Sequence, residues 1–419
     1  MPPQEIRKVV FIGGGTMGSF NSLVAALAGY SVWVYDESAE ALDTLTERHR
    51  AWGDILGERW GVPKDRIEEG LLRIRKTLDP VEAAAEADLI SESVFERLEL
   101  KRQVHRFFDE ICPPKTILTT NTSTLLVSEI AAAVKRADRF AAMHFHQPSI
   151  LADLMAGPRT SPETMEALKQ YLKSIGMTYV IVKKERAGYL HNAMYTAFLG
   201  AALMLHILGG ISIEEIDRSW MISQNATAGP FAHLDHVGFN VVVDAFSERS
   251  DPEDPLIPIR DAVKAFFAPY LERGEWGAKS GKGFYTYPNP AFQGPAFLEN
   301  RVVNPLVPQT LLNTVQATAL ELLVEGVGDV RDIDRSWMIP HGTAVGPLGM
   351  IDEKGLDVFL KELEERADRD PLFAPKFPSL ADYLKGKIEK GELGVKSGKG
   401  FYTYPEPAYL HPDFFFSTE

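Results

Sequence analysis

Short apolar runs alternate with helix-like stretches over the first 184 residues of the chain. The stretch 39–76 is longer than a simple crossover, so we expect it to form an extended helical pair. Strands that alternate with helices predict a parallel sheet covered on both faces. We therefore expect an α/β domain with a Rossmann-type, doubly wound sheet over residues 1–184. The predicted strands lie at 8–12, 31–36, 87–94, 116–121, 140–146 and 178–184.

From residue 185 onward the strand-like runs stop and helical periodicity takes over. This part contains an internal repeat with a constant offset of 117 residues, because GAKSGKGFYTYP at 277–288 returns as GVKSGKGFYTYP at 394–405. At the same offset, IDRSWMI at 216–222 returns at 333–339. The repeat predicts two tandem all-α domains, the first over 185–295 and the second over 296–419. We expect the copies to pair pseudo-symmetrically, so both a monomer with an internal pseudo-dimer and a homodimer stay open.

Composition narrows the class of protein. The chain has 419 residues, of which 45% are hydrophobic and 24% charged, and its formal net charge is −14. Such an acidic balance argues against nucleic acid or an anionic membrane as a partner. Cys112 is the one cysteine of the sequence and cannot form an internal disulfide, which favours a reducing compartment. With no secretory pattern at the N-terminus, we expect a cytoplasmic protein.

A glycine-rich turn follows the first predicted strand. The sequence GGGTMG at 13–18 has the GxGxxG spacing, and Asp36 ends the next predicted strand. Gly13 permits the tight turn, Gly15 lets the backbone approach a pyrophosphate, and Gly18 lets helix and strand pack closely. Asp36 would bind the adenosine ribose and repel a 2′-phosphate, and no arginine follows it, so NAD is favoured over NADP. The expected NAD contacts here are Gly13, Gly15, Thr16, Met17, Gly18 and Asp36.

Several motifs resemble those of the 3-hydroxyacyl-CoA dehydrogenase family. They are GGGTMG (13–18), SVFERLELK (93–101), TNTST (120–124), HFHQP (144–148), AGYLHNAM (187–194), AGPFAHLDHVG (228–238) and the KSGKGFY element. Their order and spacing match the family over almost the whole chain, and members with two C-terminal helical copies resemble it more closely than single-copy members. The resemblance implies NAD-dependent, reversible oxidation of an L-3-hydroxyacyl-CoA to the 3-ketoacyl-CoA, as in the β-oxidation of fatty acids.

The resemblance also implies roles for individual residues. Glu96 and Lys101 match residues that contact the nicotinamide half of NAD, and Ser123 matches a serine beside the cofactor and the substrate hydroxyl. His144 matches the catalytic base, and Asn192 matches an asparagine that holds the substrate. Each residue also has a purely structural interpretation: an exposed helix pair for Glu96 and Lys101, an N-cap for Ser123, and a helix bridge for Asn192.

The chain departs from the family pattern after the histidine. Family members carry a glutamate twelve residues after it, but that position here is Ala156. The downstream segment aligns if the loop is three residues shorter, which places Asp153 at the glutamate position. Gln147 replaces the usual asparagine and is expected to keep its amide contact near the nicotinamide. His146 adds a second imidazole, which either shares in proton transfer or points into the core.

The expected chemistry requires a base that can act in both directions. Hydride leaves C3 of the substrate for the nicotinamide while the hydroxyl proton goes to His144, an imidazole that titrates near neutrality. Asp153 would fix its tautomer and stabilise the imidazolium. Ser123 and Asn192 would bind the substrate. No metal-ligand spacing stands out, and His233 and His236 favour a structural role.

The sequence gives a weaker signal for the acyl carrier, coenzyme A, than for the reaction. Residues 37–63 contain no lysine to bind the CoA phosphates, although several arginines lie there. Two alternatives therefore stay open beside an acyl-CoA substrate. One is an NAD-dependent dehydrogenase of a free 3-hydroxy acid or sugar acid. The other is a non-catalytic cofactor-binding relative, which rests on the missing acid at Ala156.

Overall fold

A computed structural model describes residues 5–247 and 257–416. Within them, eight strands form one sheet in the order β3-β2-β1-β4-β5-β6-β7-β8. The first six run parallel, β7 is antiparallel to β6, and β8 is parallel to β7. The strands are Lys8–Ile12 (β1), Ser31–Tyr35 (β2), Ile74–Thr77 (β3), Leu89–Glu92 (β4), Ile117–Thr120 (β5), Phe140–Phe145 (β6), Leu151–Ala156 (β7) and Thr178–Val182 (β8).

The Rossmann-type sheet is thus confirmed, with two corrections. The expectation of a uniformly parallel sheet is wrong for β7 and β8, and both β3 and β7 lie in segments that were not predicted as strands. The helical pair expected over 39–76 ends at Leu71, where the chain turns into β3.

The helices of the described residues account for most of the remaining chain. In the sheet region they are Thr16–Leu27 (α1), Ala39–Asp43 (α2), Leu45–Trp60 (α3), Lys64–Leu71 (α4), Pro80–Ala84 (α5), Leu98–Ile111 (α6), Val127–Ala131 (α7) and Pro162–Ser174 (α8). The first helical copy contains His191–Ile207 (α9), Ile213–Gln224 (α10), Pro230–Val237 (α11), Phe239–Ser247 (α12) and Ile257–Glu272 (α13). The second contains Leu306–Val324 (α14), Val330–His341 (α15), Pro347–Lys354 (α16), Leu356–Ala367 (α17) and Phe377–Ile388 (α18).

The sheet is buried, and its first strand, β1, is apolar on both faces after Lys8. Val9, Phe11 and Leu89 are fully buried and pack with Phe20 and Leu23 of α1. Each such side chain contributes about 1.5–3 kcal/mol when it leaves water. This packing fixes the carboxyl ends of β1, β4 and β5, where the candidate site lies.

The repeated KSGKGFY element has a common anchor in the two copies. In the first copy the Asp235 carboxylate accepts hydrogen bonds from the backbone N–H groups of Phe284 and Tyr285, at 2.8 and 3.0 Å. In the second copy Asp352 accepts from the Tyr402 N–H at 2.8 Å. Both carboxylates are buried, so in each copy a buried aspartate holds the KSGKGFY loop by accepting hydrogen bonds from its backbone.

The described residues form two compact units, and the expected domain bounds of 1–184, 185–295 and 296–419 stay a prediction. One unit contains the residues up to 192, with 325–346 and those from 406 onward. The other contains residues of 193–324 and 347–405, and α10 packs against α14 inside it. Helix α15 of the second copy therefore belongs to the unit that holds the sheet. None of the described helices combines the length and the hydrophobicity that crossing a bilayer requires.

Candidate active site

The glycine-rich turn connects β1 to α1. Gly13 has a φ of +98°, and a Cβ added there would lie 2.8 Å from the Ser93 carbonyl oxygen. A Cβ added at Gly18 would lie 1.8 Å from the Gly13 carbonyl oxygen, whereas one added at Gly15 meets no described atom within 4 Å. The turn thus needs glycine at both ends and leaves space at its centre. This shape suits a pyrophosphate on the first turn of α1, which begins at Thr16.

Asp36 follows β2 and is held by backbone donors. Its Oδ2 accepts from the Gly14 N–H at 2.7 Å, and its Oδ1 accepts from the Ser38 N–H at 2.9 Å. Arg48 of α3 also reaches this turn and donates to the Gly14 carbonyl at 2.8 Å. Arg48 is one of the arginines in residues 37–63 that were considered for CoA phosphates, and its contact with the glycine turn was not predicted because it lies twelve residues beyond Asp36. Its position three residues after the buried Leu45, on the same helix face, was the available signal.

Glu96 holds the loop that follows β5. Its Oε1 accepts from the Thr122 hydroxyl at 2.6 Å and from the backbone N–H groups of Ser123 and Thr124, each at 2.8 Å. Burial acts to raise the pKa of Glu96, but Lys101 and these donors outweigh it and lower the pKa. A charged Glu96 therefore fixes the backbone that presents Ser123.

Lys101 stands behind Glu96 in a buried ion-pair cluster. Its Nζ lies 2.6 Å from a Glu92 oxygen and 3.3 Å from a Glu96 oxygen, and its side chain is 1% exposed. The Glu92 carboxylate also lies 3.2 Å from His105 Nε2. Burial raises the pKa of Glu92, but Lys101 and His105 outweigh it and lower the pKa to about 2. Lys101 thus holds Glu96 in place and stabilises its charged form.

His144 and Asp153 face each other across β6 and β7. They are paired in the antiparallel register, and His144 Nδ1 lies 3.0 Å from Asp153 Oδ2. Burial acts to raise the pKa of Asp153, but His146 and His144 outweigh it, so the net shift is downward and the carboxylate stays charged. A charged carboxylate only accepts hydrogen bonds, so His144 Nδ1 carries the proton and Nε2 keeps a lone pair.

His146 shares the same carboxylate oxygen. Its Nε2 lies 2.6 Å from Asp153 Oδ2, and its ring packs edge-to-face on His144 with centroids 4.5 Å apart. Burial, then His146, lowers the pKa of His144 against the opposing effect of Asp153. The three ligand atoms lie within 4.8 Å of one another, a spacing that also suits a metal ion. The expectation that the site holds no metal stays a prediction.

Tyr189 is a strained residue beside His144 that the sequence did not predict as part of the site. It has a φ of +49°, which bulky side chains rarely adopt, and its ring centroid lies 5.5 Å from that of His144. It is buried, and its hydroxyl has no hydrogen-bond partner among the described residues. The preceding Gly188 donates its N–H to the Ser123 carbonyl at 3.1 Å, which ties this turn to the loop after β5.

A polar cavity of about 390 Å³ collects many of the predicted residues. Asp153 and Lys101 do not line it and lie behind His144 and Glu96. The lining residues are Met17, Ser93, Val94, Glu96, Asn121, Ser123, His144, Phe145, His146, Gln147 and Asn192.

A second cavity is larger, at about 450 Å³, but does not contain any of the predicted catalytic residues. Its walls are mainly apolar and come from α1, α3 and the segment around Ile150. We assign the candidate site to the polar cavity because titratable groups and hydrogen-bond donors converge there.

Two family models match the chain. The NAD-binding domain of 3-hydroxyacyl-CoA dehydrogenase matches residues 8–186, and the C-terminal domain of the same family matches twice, at 188–287 and 306–404. These matches cover most of the chain and include both copies of the repeat. They support NAD as the cofactor and an oxidoreductase class.

Individual relatives agree with the family models. The mitochondrial hydroxyacyl-coenzyme A dehydrogenase of Rattus norvegicus is 30% identical over 296 residues, which are 67% of this chain and 91% of that protein. The solved structure of a diketoreductase studied with dicarbonyl compounds is 32% identical, with a TM-score of 0.61, over 68% of this chain and 100% of the other. A 3-hydroxybutyryl-CoA dehydrogenase of Escherichia coli K12 covers 91% of this chain and 100% of its own, with a TM-score of 0.71. At 22% identity it supports the fold alone.

Proposed function

This chain belongs to the 3-hydroxyacyl-CoA dehydrogenase family, and we propose that it catalyses the reversible NAD-dependent oxidation of a 3-hydroxyacyl-CoA to the 3-ketoacyl-CoA. The observation that carries the proposal is the orientation of His144. Its Nδ1 faces the Asp153 carboxylate at 3.0 Å, and the ring lines the cavity. The arrangement leaves Nε2 to exchange a proton with a substrate hydroxyl.

In this proposal each residue around the cavity has a separate role. NAD, when bound at the glycine turn, would supply the hydride acceptor for C3 of the substrate. His144 takes the hydroxyl proton, and Asp153 stabilises the resulting imidazolium and holds its tautomer. Ser123 and Asn192 line the same cavity, and their role in this proposal is to hold the substrate oxygen. Glu96 keeps the Ser123 backbone in position through a 2.8 Å hydrogen bond.

A second candidate is an NAD-dependent reductase or dehydrogenase of a free carbonyl or hydroxy compound. The observation that favours it concerns the cations of the helical pair. Arg50 forms an ion pair with Glu68 at 3.1 Å, and Arg66 donates to the Leu27 carbonyl at 3.1 Å. These arginines are engaged within the protein and leave fewer cations to bind CoA phosphates. The diketoreductase, at 32% identity, is a relative named for dicarbonyl compounds.

A direct assay separates the candidates. Purified protein is mixed with NADH and acetoacetyl-CoA, free acetoacetate or a simple diketone, and NADH absorbance is followed. We expect acetoacetyl-CoA to be the preferred substrate and the His144→Gln variant to bind NADH without turnover. Preference for the free dicarbonyl would support the second candidate. Absence of turnover with all three would favour a non-catalytic relative.

The same proposal extends to the assembly. Inside one compact unit, α10 of the first copy packs against α14 of the second, as expected if one copy replaces a partner subunit. We propose a monomer with an internal pseudo-dimer. Light scattering after size-exclusion chromatography tests this, and a mass of twice the 46.5 kDa chain would favour the homodimer.

A further inference from the structure

Helix α15 of the second copy is attached to the sheet close to the candidate site. The Asp332 carboxylate of this helix accepts a hydrogen bond from the Ile181 N–H of β8 at 2.8 Å. Its other oxygen accepts from Arg335, whose side chain is fully buried, at 2.9 Å. This buried pair fixes α15 against the sheet edge, because an unpaired charge there would be costly. The C-terminal half of α15 carries Trp337 and His341.

His341 extends this contact toward the cavity. Its ring stacks on Trp337 with centroids 3.9 Å apart, and its Nε2 lies 3.3 Å from His191 Nε2. On the other side of that ring, His191 Nδ1 lies 3.2 Å from Asn192 Oδ1. Asn192 lines the polar cavity. A continuous line of contacts therefore runs from the second copy to the residue placed to hold the substrate.

The two ring nitrogens of His191 link the neighbours on either side of it, Asn192 and His341. Burial, then His146, lowers the pKa of His191 to about 3, so its ring is neutral near pH 7. A neutral imidazole has one N–H and one lone pair. With the Asn192 amide oxygen facing Nδ1, the proton sits on Nδ1 and His341 must donate to Nε2. If the Asn192 amide is turned so that its NH₂ group faces Nδ1, the donor and acceptor exchange roles in both hydrogen bonds of His191. His341 and Asn192 are linked through His191 in either case.

The repeat shows that the histidine is specific to the second copy. The identical IDRSWMI stretches end at 222 and 339, and the next two residues are Ser223-Gln224 in the first copy and Pro340-His341 in the second. Gln224 is thus the equivalent of His341. An imidazole is present only in the copy whose helix reaches the sheet unit.

We propose that His341 is a positioning residue, which acts through His191 to orient the Asn192 amide toward the substrate. The second helical copy would then take part in substrate binding as well as in packing. This inference rests on the proposed dehydrogenase function, in which Asn192 holds the substrate. It concerns the ketoacyl or hydroxyacyl ligand and leaves NAD binding untouched.

Two variants isolate the hydrogen bond. His341→Phe keeps a ring for Trp337 and removes the N–H, whereas His341→Gln restores the residue of the first copy and keeps both donor and acceptor. Losing one hydrogen bond of about 1 kcal/mol predicts that His341→Phe raises the KM for the ketoacyl substrate about five-fold. The KM for NADH should stay the same, and His341→Gln should recover most of the substrate affinity. Gln224→Phe, the matched change in the first copy, should have no effect.

The kinetic result can overturn the inference in two ways. An unchanged substrate KM in His341→Phe would remove His341 from substrate binding. An equal rise in both KM values, together with a lower melting temperature and no rescue by glutamine, would indicate a packing role alone.

A measurement without turnover separates this inference from the proposed function. The chain has ten histidines, so ring-labelled histidine can be followed by NMR in the free protein. His341→Phe should shift the His191 ring resonances, and Gln224→Phe should not. If the wild-type protein turns over no substrate but these shifts appear, the function fails and the His341–His191 coupling stands. If the His191 resonances do not move, the inference fails whatever the activity.

Discussion

Replacing Asp153 with asparagine tests the geometry of the candidate site most directly. Asp153 Oδ2 accepts from His144 at 3.0 Å and from His146 at 2.6 Å, and the side chain is 1% exposed. An amide of nearly the same size removes the charge that both imidazoles share. Its NH₂ group can also donate to His144 Nδ1, which would move the imidazole proton to Nε2. Nε2, the atom that we propose accepts the substrate proton, would then be blocked.

The size of the effect follows from these contacts. A hydrogen bond to a charged group contributes about 1.5–3 kcal/mol, against about 1 kcal/mol for a neutral one. Loss of charge alone therefore predicts a fall in kcat of about ten-fold, and the wrong tautomer extends it to roughly 10³–10⁴-fold. Steady-state kinetics with the preferred ketoacyl substrate measures kcat. NADH affinity, measured by fluorescence, should not change because Asp153 does not line the cavity.

The Asp153→Glu variant and the pH dependence of stability serve as controls for this prediction. Asp153→Glu keeps the charge but adds a methylene to a buried position, so kcat should fall less than in the asparagine variant. The pKa of Asp153 is depressed in the folded state, so its stabilisation is present above the unfolded pKa of about 3.9 and is lost at lower pH. The stability gap to Asp153→Asn should accordingly be constant above about pH 5 and narrow below about pH 4. An asparagine variant with kcat within about three-fold of the wild type would refute the assigned role, since tautomer control should cost far more.

Three further predictions concern the second imidazole and the cofactor turn. His146→Phe removes a group that lowers the pKa of His144, so the acid limb of the oxidation pH profile should move to higher pH. An unmoved limb would contradict the interaction. Asp36→Ser should raise the KM for NAD about ten-fold by removing a ribose acceptor, and an unchanged KM would place the ribose elsewhere. Gly18→Ala puts a Cβ 1.8 Å from a backbone oxygen and should lower the melting temperature, whereas Gly15→Ala meets no described atom and should weaken NAD binding alone. Equal melting temperatures for the two alanine variants would refute this contrast.

The parts of the fold that the sequence predicts are those with strong local signals. Strands β1 and β2 are β-rich runs bounded by a glycine turn or an acid, and the repeat is visible from identical motifs. The glycine turn was predictable for the same reason, since Gly13 and Gly18 occupy positions where a Cβ would clash. At these sites the local preference and the tertiary environment agree.

Strand β7 was missed because its sequence carries no local strand signal. Its sequence, LADLMA, contains no β-branched and no aromatic residue, and these are the residues that favour strands. It is a strand because it lies between β6 and β8 and hydrogen-bonds to both. Pairing of this kind comes from tertiary structure and overrides local propensity. The sequence also could not predict that α15 belongs to the unit that holds the sheet, because the repeat does not indicate which copy contacts the sheet.

The register of β6 and β7 explains how an aspartate can replace the expected glutamate. Directly opposite residues of an antiparallel pair have Cβ atoms about 4.5–5.5 Å apart and point to the same face. His144 and Asp153 are such a pair, and the ladder continues with the His146 N–H donating to the Leu151 carbonyl at 3.0 Å. Because side chains alternate along a strand, His146 points to the same face as His144 and meets the same carboxylate. A short acid fixed by strand pairing reaches both imidazoles, so one register accounts for the shorter loop, the aspartate and the second histidine.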